Sequence, residues 1–112
     1  MKESPLFIKT YDFTVWLLEH TIKFPKSQRF VMAKRIEEAV LNFYDLLLLA
    51  VKEKKRGGQK EVLQRASFEL ERLKHYMRLS KDLNLITIKQ YEYSSNAIVE
   101  IGNLLGGWLK KV

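Results

Sequence analysis

Apolar residues recur along this chain at spacings of three and four, in four runs separated by short polar or breaking segments. The first run carries Ile8, Tyr11, Val15, Leu18 and Ile22. The second carries Met32, Ile36, Ala39, Phe43, Leu46 and Ala50. The third carries Val62, Ala66, Leu70, Leu73 and Met77, and the fourth Tyr91, Ile98, Ile101, Leu105 and Leu109. Such spacings put each set on one face of a helix. No stretch alternates between apolar and polar residues as a strand with hairpin turns would, and no internal repeat is present.

The punctuation agrees. Ser4 can cap a helix and Pro5 suits its first turn, so the first helix is predicted over about 5–23. Pro25 ends it and opens a second helix over about 26–53. Gly57-Gly58 is read as the next break, with the basic cluster before it suiting a helix C-terminus. A third helix follows over about 59–81, and Asp82 to Leu85 form a connector. Thr87 and Gln90 are spaced as a capping box that opens a fourth helix over about 88–110. Long helices joined by short loops favour antiparallel neighbours, so the prediction is an all-α, antiparallel up-down four-helix bundle in one domain spanning residues 1–112.

Two helices carry a second apolar feature. Leu6, Phe13 and Leu17 fall opposite the first helix's stripe, flanked by Trp16. Phe68 and Leu79 fall away from Leu70 and Leu73 on the third. A small monomer has no use for these residues outside, so they are read as an interface between subunits.

Charge adds a direction. The chain of 112 residues has a formal net charge of +7, and residues 50–81 alone carry +6 of it. The excess begins at Lys52, Lys54, Lys55 and Arg56 and continues along the third helix. There, Lys74, Arg78 and Lys81 share one flank and Arg65 and Arg72 the other. An anionic partner is implied, with nucleic acid the first candidate. There is no cysteine, which removes disulfides, thiolate zinc sites and cysteine nucleophiles. No apolar run is long enough to span a bilayer and Met1 to Thr10 do not read as a signal sequence, so a soluble cytoplasmic protein without a membrane partner is predicted.

Signs of catalysis are few. His20 and His75 have no second ligand at metal spacing, and Glu37-Glu38 and Glu69/Glu71 are badly placed to share an ion. Ser94, Ser95 and Asn96 lie within a helix, where small polar residues ease packing. Gly57-Gly58-Gln59-Lys60 lacks the P-loop pattern. Gly102 and Gly106 are read as allowing a neighbouring helix to approach. The aromatic residues lie mostly at core or interface spacing and form no stacking pattern for single strands. The chain is therefore expected to be no enzyme and to need no metal or cofactor.

Specific stretches carry a family likeness. Glu3 to Phe7, Tyr11-Asp12-Phe13, Trp16-Leu17-Leu18 and Lys23 to Phe30 resemble the accessory variability determinant (Avd) proteins of diversity-generating retroelements. Arg35 to Ala39, Glu71 to Lys74, and Ile101 to Lys111 with its Gly-Gly-Trp continue the match, which covers essentially the whole chain. The four-helix bundle proteins encoded within intervening sequences of 23S ribosomal RNA genes are similar too. They share the Lys-Phe-Pro opening of the second helix, but where they usually carry a Ser-Ile-Pro-Ser-Asn-Ile-Ala-Glu-Gly-like stretch this chain has Ala39 to Leu47.

The Avd resemblance implies a bundle assembled as a pentameric barrel. Its basic surface would bind the element's reverse transcriptase and template RNA or cDNA, in support of mutagenic retrohoming. The alternative is a structural or protein-interaction bundle of the intervening-sequence type with no polymerase partner. The binding surface is assigned to Arg65, Arg72, Lys74, Arg78 and Lys81, with Lys52, Lys54, Lys55 and Arg56 as a further electrostatic contact. The subunit interface is assigned to Leu6, Phe13, Trp16, Leu17, Phe68 and Leu79.

Overall fold

The computed structural model describes residues 4–112; Glu3, at the start of the family likeness, lies outside them. Four long helices carry the fold: α1 (Pro5–Thr21), α2 (Lys34–Lys52), α3 (Arg56–Asp82) and α4 (Ile88–Leu109). Ser4 caps α1, accepting the Phe7 N–H at 3.3 Å, with Pro5 in the first turn. Thr87 and Gln90 form the reciprocal box at α4, with bonds of 2.9 and 3.1 Å. The end of α3 is a Schellman closure. The Asn84 N–H meets the Lys81 carbonyl and the Leu85 N–H meets that of Ser80, with Asn84 at φ 59°.

Side-chain pairs fix the topology. Phe7 and Tyr11 meet Tyr44 on α2 with their rings steeply inclined to it, while Thr21 reaches Glu37, so α1 and α2 run antiparallel. Gln59 on α3 donates to the Ala50 carbonyl across the α2–α3 junction. Lys81 lies over the Tyr91 ring, and Gly102 faces Leu70, which runs α4 back along α3. Lys9–Glu100 and Trp16–Tyr93 close α4 onto α1. The bundle measures 43 × 24 × 23 Å, its long axis set by the 27 residues of α3 at about 1.5 Å each.

The stripes predicted for the last three helices face inward. Met32, Ile36, Ala39, Phe43, Leu46 and Ala50 are buried, as are Val62, Ala66, Leu70, Leu73 and Met77. On α4, Ile98, Ile101 and Leu105 are buried, and Tyr91 and Leu109 partly so.

The first helix is turned the other way. Leu6, Thr10, Phe13, Thr14, Leu17 and Thr21 point inward, whereas Ile8, Tyr11, Val15 and Ile22 are exposed. The reason is chemical. Three of the inward residues are threonines, which a hydropathy reading counts as polar. Their methyl groups pack, and two of their hydroxyls are satisfied inside: Thr14 donates to the Thr10 carbonyl at 2.7 Å and Thr21 to the Glu37 carboxylate at 2.8 Å. Thus Leu6, Phe13 and Leu17 are core residues of the protomer, not interface residues.

Two boundaries also differ from expectation. The predicted start of the second helix resolves into a 3₁₀ turn (Lys26–Gln28), then a π-turn (Arg29–Ala33), before α2 proper. The wide turn sets Met32 and Ala33 into the core and leaves Phe30 and Val31 outside. Gly57-Gly58 is not the break but lies in the first turn of α3; the chain breaks at Glu53–Lys55. Glu53 turns its carboxylate onto the Lys55 N–H at 3.0 Å, and a Cβ on Gly58 would sit 2.8 Å from it, so Gly58 serves close approach. Gly102 meets α3 as expected, while Gly106 faces open space.

Candidate functional site

α3 presents the basic residues because its apolar positions are spent on one face. At about 100° per residue, Arg56, Lys60, Lys74, Arg78 and Lys81 fall within about 60° of arc on the flank toward α4. Arg65 and Arg72 fall on the flank toward α2. The two groups therefore address different surroundings.

The α2 flank is mixed in charge. Arg65 lines an open groove of about 710 Å³ between α2 and α3, together with Asn42, Asp45, Leu49, Phe68 and Glu69. Arg72 is committed within the protomer. Its guanidinium donates to Glu69 at 2.7 Å and to the Tyr76 hydroxyl at 3.4 Å, and sits 5.5 Å from the Tyr76 ring centroid. Hydrogen bonding to Tyr76 holds the Arg72 guanidinium above its ordinary range. The same bond, with the charges of Arg72 and of Arg35 on α2, pulls the Tyr76 phenol below its own, against the effect of burial. Arg72 is thus an internal brace between turns of α3, not a free phosphate ligand.

The α4 flank is freer. Lys74 and Arg78 are exposed and have no ion pair among the described residues. Lys81 is half-buried, with its ammonium 4.6 Å from the Tyr91 ring centroid and 3.6 Å from the Asp82 carboxylate. Lys52, Lys54, Lys55 and Arg56 are exposed around the α2–α3 junction, at the opposite end of α3 from Arg78 and Lys81. The basic residues make a line along the bundle rather than one patch. Lys60 belongs to that line; its spacing of fourteen from Lys74 carries the signal, four helical turns apart.

Of the assigned interface residues, Phe68 and Leu79 are exposed and Trp16 is half-buried between His20, at 4.0 Å between ring centroids, and Tyr93, at 4.7 Å. A further outward apolar surface lies along the α1 and α2 faces that meet at Tyr44. Ile8, Tyr11 and Val15 share one exposed face of α1, Leu41 and Leu48 share the face of α2 that carries Tyr44, and Tyr11 meets Tyr44 at 6.5 Å between ring centroids. Leu41 and Leu48 are seven apart, a signal visible in the sequence but masked by the inverted reading of α1.

The polar side chains that resemble catalytic groups are otherwise occupied. The Ser94 hydroxyl donates to the Tyr91 carbonyl and that of Ser80 to Tyr76. His20 Nδ1 donates to the Trp16 carbonyl at 2.7 Å, and His75 pairs with Glu71 in solvent at 3.1 Å. Among the described residues no three His, Asp or Glu side chains are gathered to hold a metal ion, and no helix is long and apolar enough to cross a membrane. The arrangement sets a basic row on one side of the bundle and an apolar face on another.

Comparison with known proteins adds a family and a fold. A family model described as bAvd-like matches residues 6–112. A crystal structure of a protein of unknown function from the S23 ribosomal protein family of Bacteroides thetaiotaomicron superposes with a TM-score of 0.85. That pairing has 24% sequence identity and covers 94% of this chain and 95% of the other. At that identity the likeness speaks for the fold alone. No curated protein matches the sequence.

Proposed function

Because the chain belongs to the bAvd-like family, we propose that it is the accessory protein of a diversity-generating retroelement, a non-catalytic scaffold for the element's reverse transcriptase and its template RNA or cDNA. The observation that carries the reading within the chain is the line Arg56, Lys60, Lys74, Arg78 and Lys81 on a rigid 27-residue helix. A straight row of cations suits a polyanion backbone, whose contacts position a partner without reading sequence. Arg65 opens onto the α2 groove and contributes from the side; Arg72 supports the helix surface. The α1–α2 seam of one subunit, with Ile8, Tyr11, Val15, Leu41 and Leu48, packs against a different face of the next, since a closed ring of more than two subunits needs two unlike faces. The resemblance to Avd proteins makes the assembly a pentameric barrel.

The test is a pull-down of the cognate reverse transcriptase with and without template RNA, with the mass of the eluted complex read by light scattering. Lys74→Glu with Arg78→Glu is expected to abolish co-elution while the bundle stays folded. Each phosphate contact removed lowers the slope of log affinity against log salt by about one. Folded protein that binds neither polymerase nor RNA at low salt would refute the reading. It would turn the assignment to a polymerase-independent bundle of the intervening-sequence type, which shares this fold.

A further inference from the structure

The corner joining α1 to α2 has a second, different chemistry. Phe24 is buried and anchors it, and the Gln28 N–H closes onto the Pro25 carbonyl at 2.8 Å. The π-turn that follows seats Met32 and Ala33, and with those inward positions filled it holds Phe30 out at 82% exposure. Among the described large apolar side chains none is more exposed. On the same corner Lys23, Lys26, Arg29 and Lys34 are exposed, and none has an ion pair among the described residues; Arg35 turns instead toward Tyr76 on α3. Between Glu19 and Glu37 the chain has no acidic residue, and the Glu37 carboxylate already accepts from Thr21.

The charge decides what would cover Phe30. A second copy of this corner would set four cations against four, which disfavours self-association there. An aromatic ring in water among cations is the combination that binds single-stranded nucleic acid: the ring stacks on an unpaired base while the cations hold adjacent phosphates. Unpaired bases offer a π-face that a continuous duplex keeps stacked inside. Departures from regular helix such as a π-turn are frequent at functional sites.

We propose that the Lys23–Lys34 corner is a contact for single-stranded nucleic acid, with Phe30 stacking on an unpaired base and Lys26, Arg29 and Lys34 holding the flanking phosphates. The proposal deepens the accessory-scaffold reading by naming a ligand class, but it rests on a surface separate from the α3 row.

The probes are fluorescein-labelled single strands of about twelve nucleotides, one RNA and one DNA of the same sequence, and the blunt DNA duplex, followed by anisotropy. Phe30→Ala is expected to weaken single-strand binding by about five- to a hundredfold and to leave duplex binding unchanged. Phe30→Trp retains single-strand affinity. Phe30→Ala keeps the wild-type salt slope, whereas Arg29→Gln lowers it by about one. Loss with either the RNA or the DNA strand supports the contact and identifies which strand it takes. Unchanged single-strand affinity in Phe30→Ala overturns the proposal. So does equal loss for strand and duplex accompanied by a fall in assembly mass, which would make Phe30 a subunit contact. The Lys74→Glu/Arg78→Glu protein separates the two readings: if it loses the polymerase but keeps Phe30-dependent strand binding, each surface acts independently. If it keeps the polymerase while Phe30→Ala loses the strand, the α3 reading falls and the corner stands.

Discussion

Replacing Leu17 by alanine tests the orientation of α1, on which both the core and the proposed interface depend. Leu17 is 1% exposed, so truncation removes three carbons from a fully enclosed site. Transfer of those carbons is worth about 2.5 kcal/mol. The cavity that remains raises the loss to about 3–5 kcal/mol, as for other buried leucines. With an unfolding entropy of about 2 cal/mol/K per residue, that lowers the melting temperature by roughly 13–22 °C. Val15 is 42% exposed, and Val15→Ala should cost about 0.5 kcal/mol or less within the protomer. The assay is thermal unfolding by circular dichroism at matched protomer concentration, because association raises apparent stability by mass action. If Val15→Ala destabilises more than Leu17→Ala, α1 faces the other way and the reasoning fails.

Three further outcomes are expected. Thr10 is 1% exposed and its hydroxyl has no partner among the described residues, so the isosteric Thr10→Val should raise stability by about 1 kcal/mol; a loss measured by urea unfolding would show that the hydroxyl is satisfied in solution. Gly57→Ala meets no neighbour and should stabilise by about 0.5 kcal/mol, while Gly58→Ala must displace the Glu53 side chain and should not stabilise; identical shifts in melting temperature would contradict this. Tyr76 should ionise below the ordinary phenol range in an ultraviolet titration and return toward it in Arg72→Ala. Because its folded pKa is depressed, its contribution is present above the unfolded phenol value of about 10 and is lost as pH falls through the folded one. Wild type should therefore gain on Tyr76→Phe as pH rises, and a constant difference would refute the coupling.

The sequence made the three later helices legible because their inward residues are unambiguous. Ile36, Ala39 and Phe43, or Leu70, Leu73 and Met77, leave one choice of face. The caps were equally plain, since Ser4-Pro5 and Thr87 with Gln90 act within three residues of themselves. α1 was not legible, for it is apolar on two sides and the residues that settle the matter are threonines whose methyl groups pack inward, with only the Thr21 hydroxyl reaching another helix, at Glu37. Gly57-Gly58 misled for a related reason. Glycine next to a charge cluster reads as a stop, but here the stop comes from Glu53 folding back onto Lys55, with Gly58 making room. Pairing within the site was hidden as well. Arg72 and Lys74 look alike in sequence, yet only Arg72 has both Glu69 and Tyr76 within reach on its side of the helix.

The positions of the two proposed surfaces make a joint prediction. α1 contacts α2 and α4, and α3 contacts the same two, so the seam between α1 and α2 lies across the bundle from the seam between α3 and α4. A ring in which the seam carrying Val15 and Leu41 packs on a face of the next subunit other than its α3–α4 flank keeps Lys74 and Arg78 in solvent. Each added protomer then adds its own basic row to the outside of the assembly, and the fields sum over any polyanion long enough to touch several rows. Val15→Asp, which sets a charge into the buried seam, should lower the mass by light scattering. It should also reduce the salt slope for a long RNA while leaving that for a strand of about twelve nucleotides near its wild-type value. A slope for long RNA that survives dissociation would mean that one protomer makes all the contacts, and would remove assembly from the account of binding.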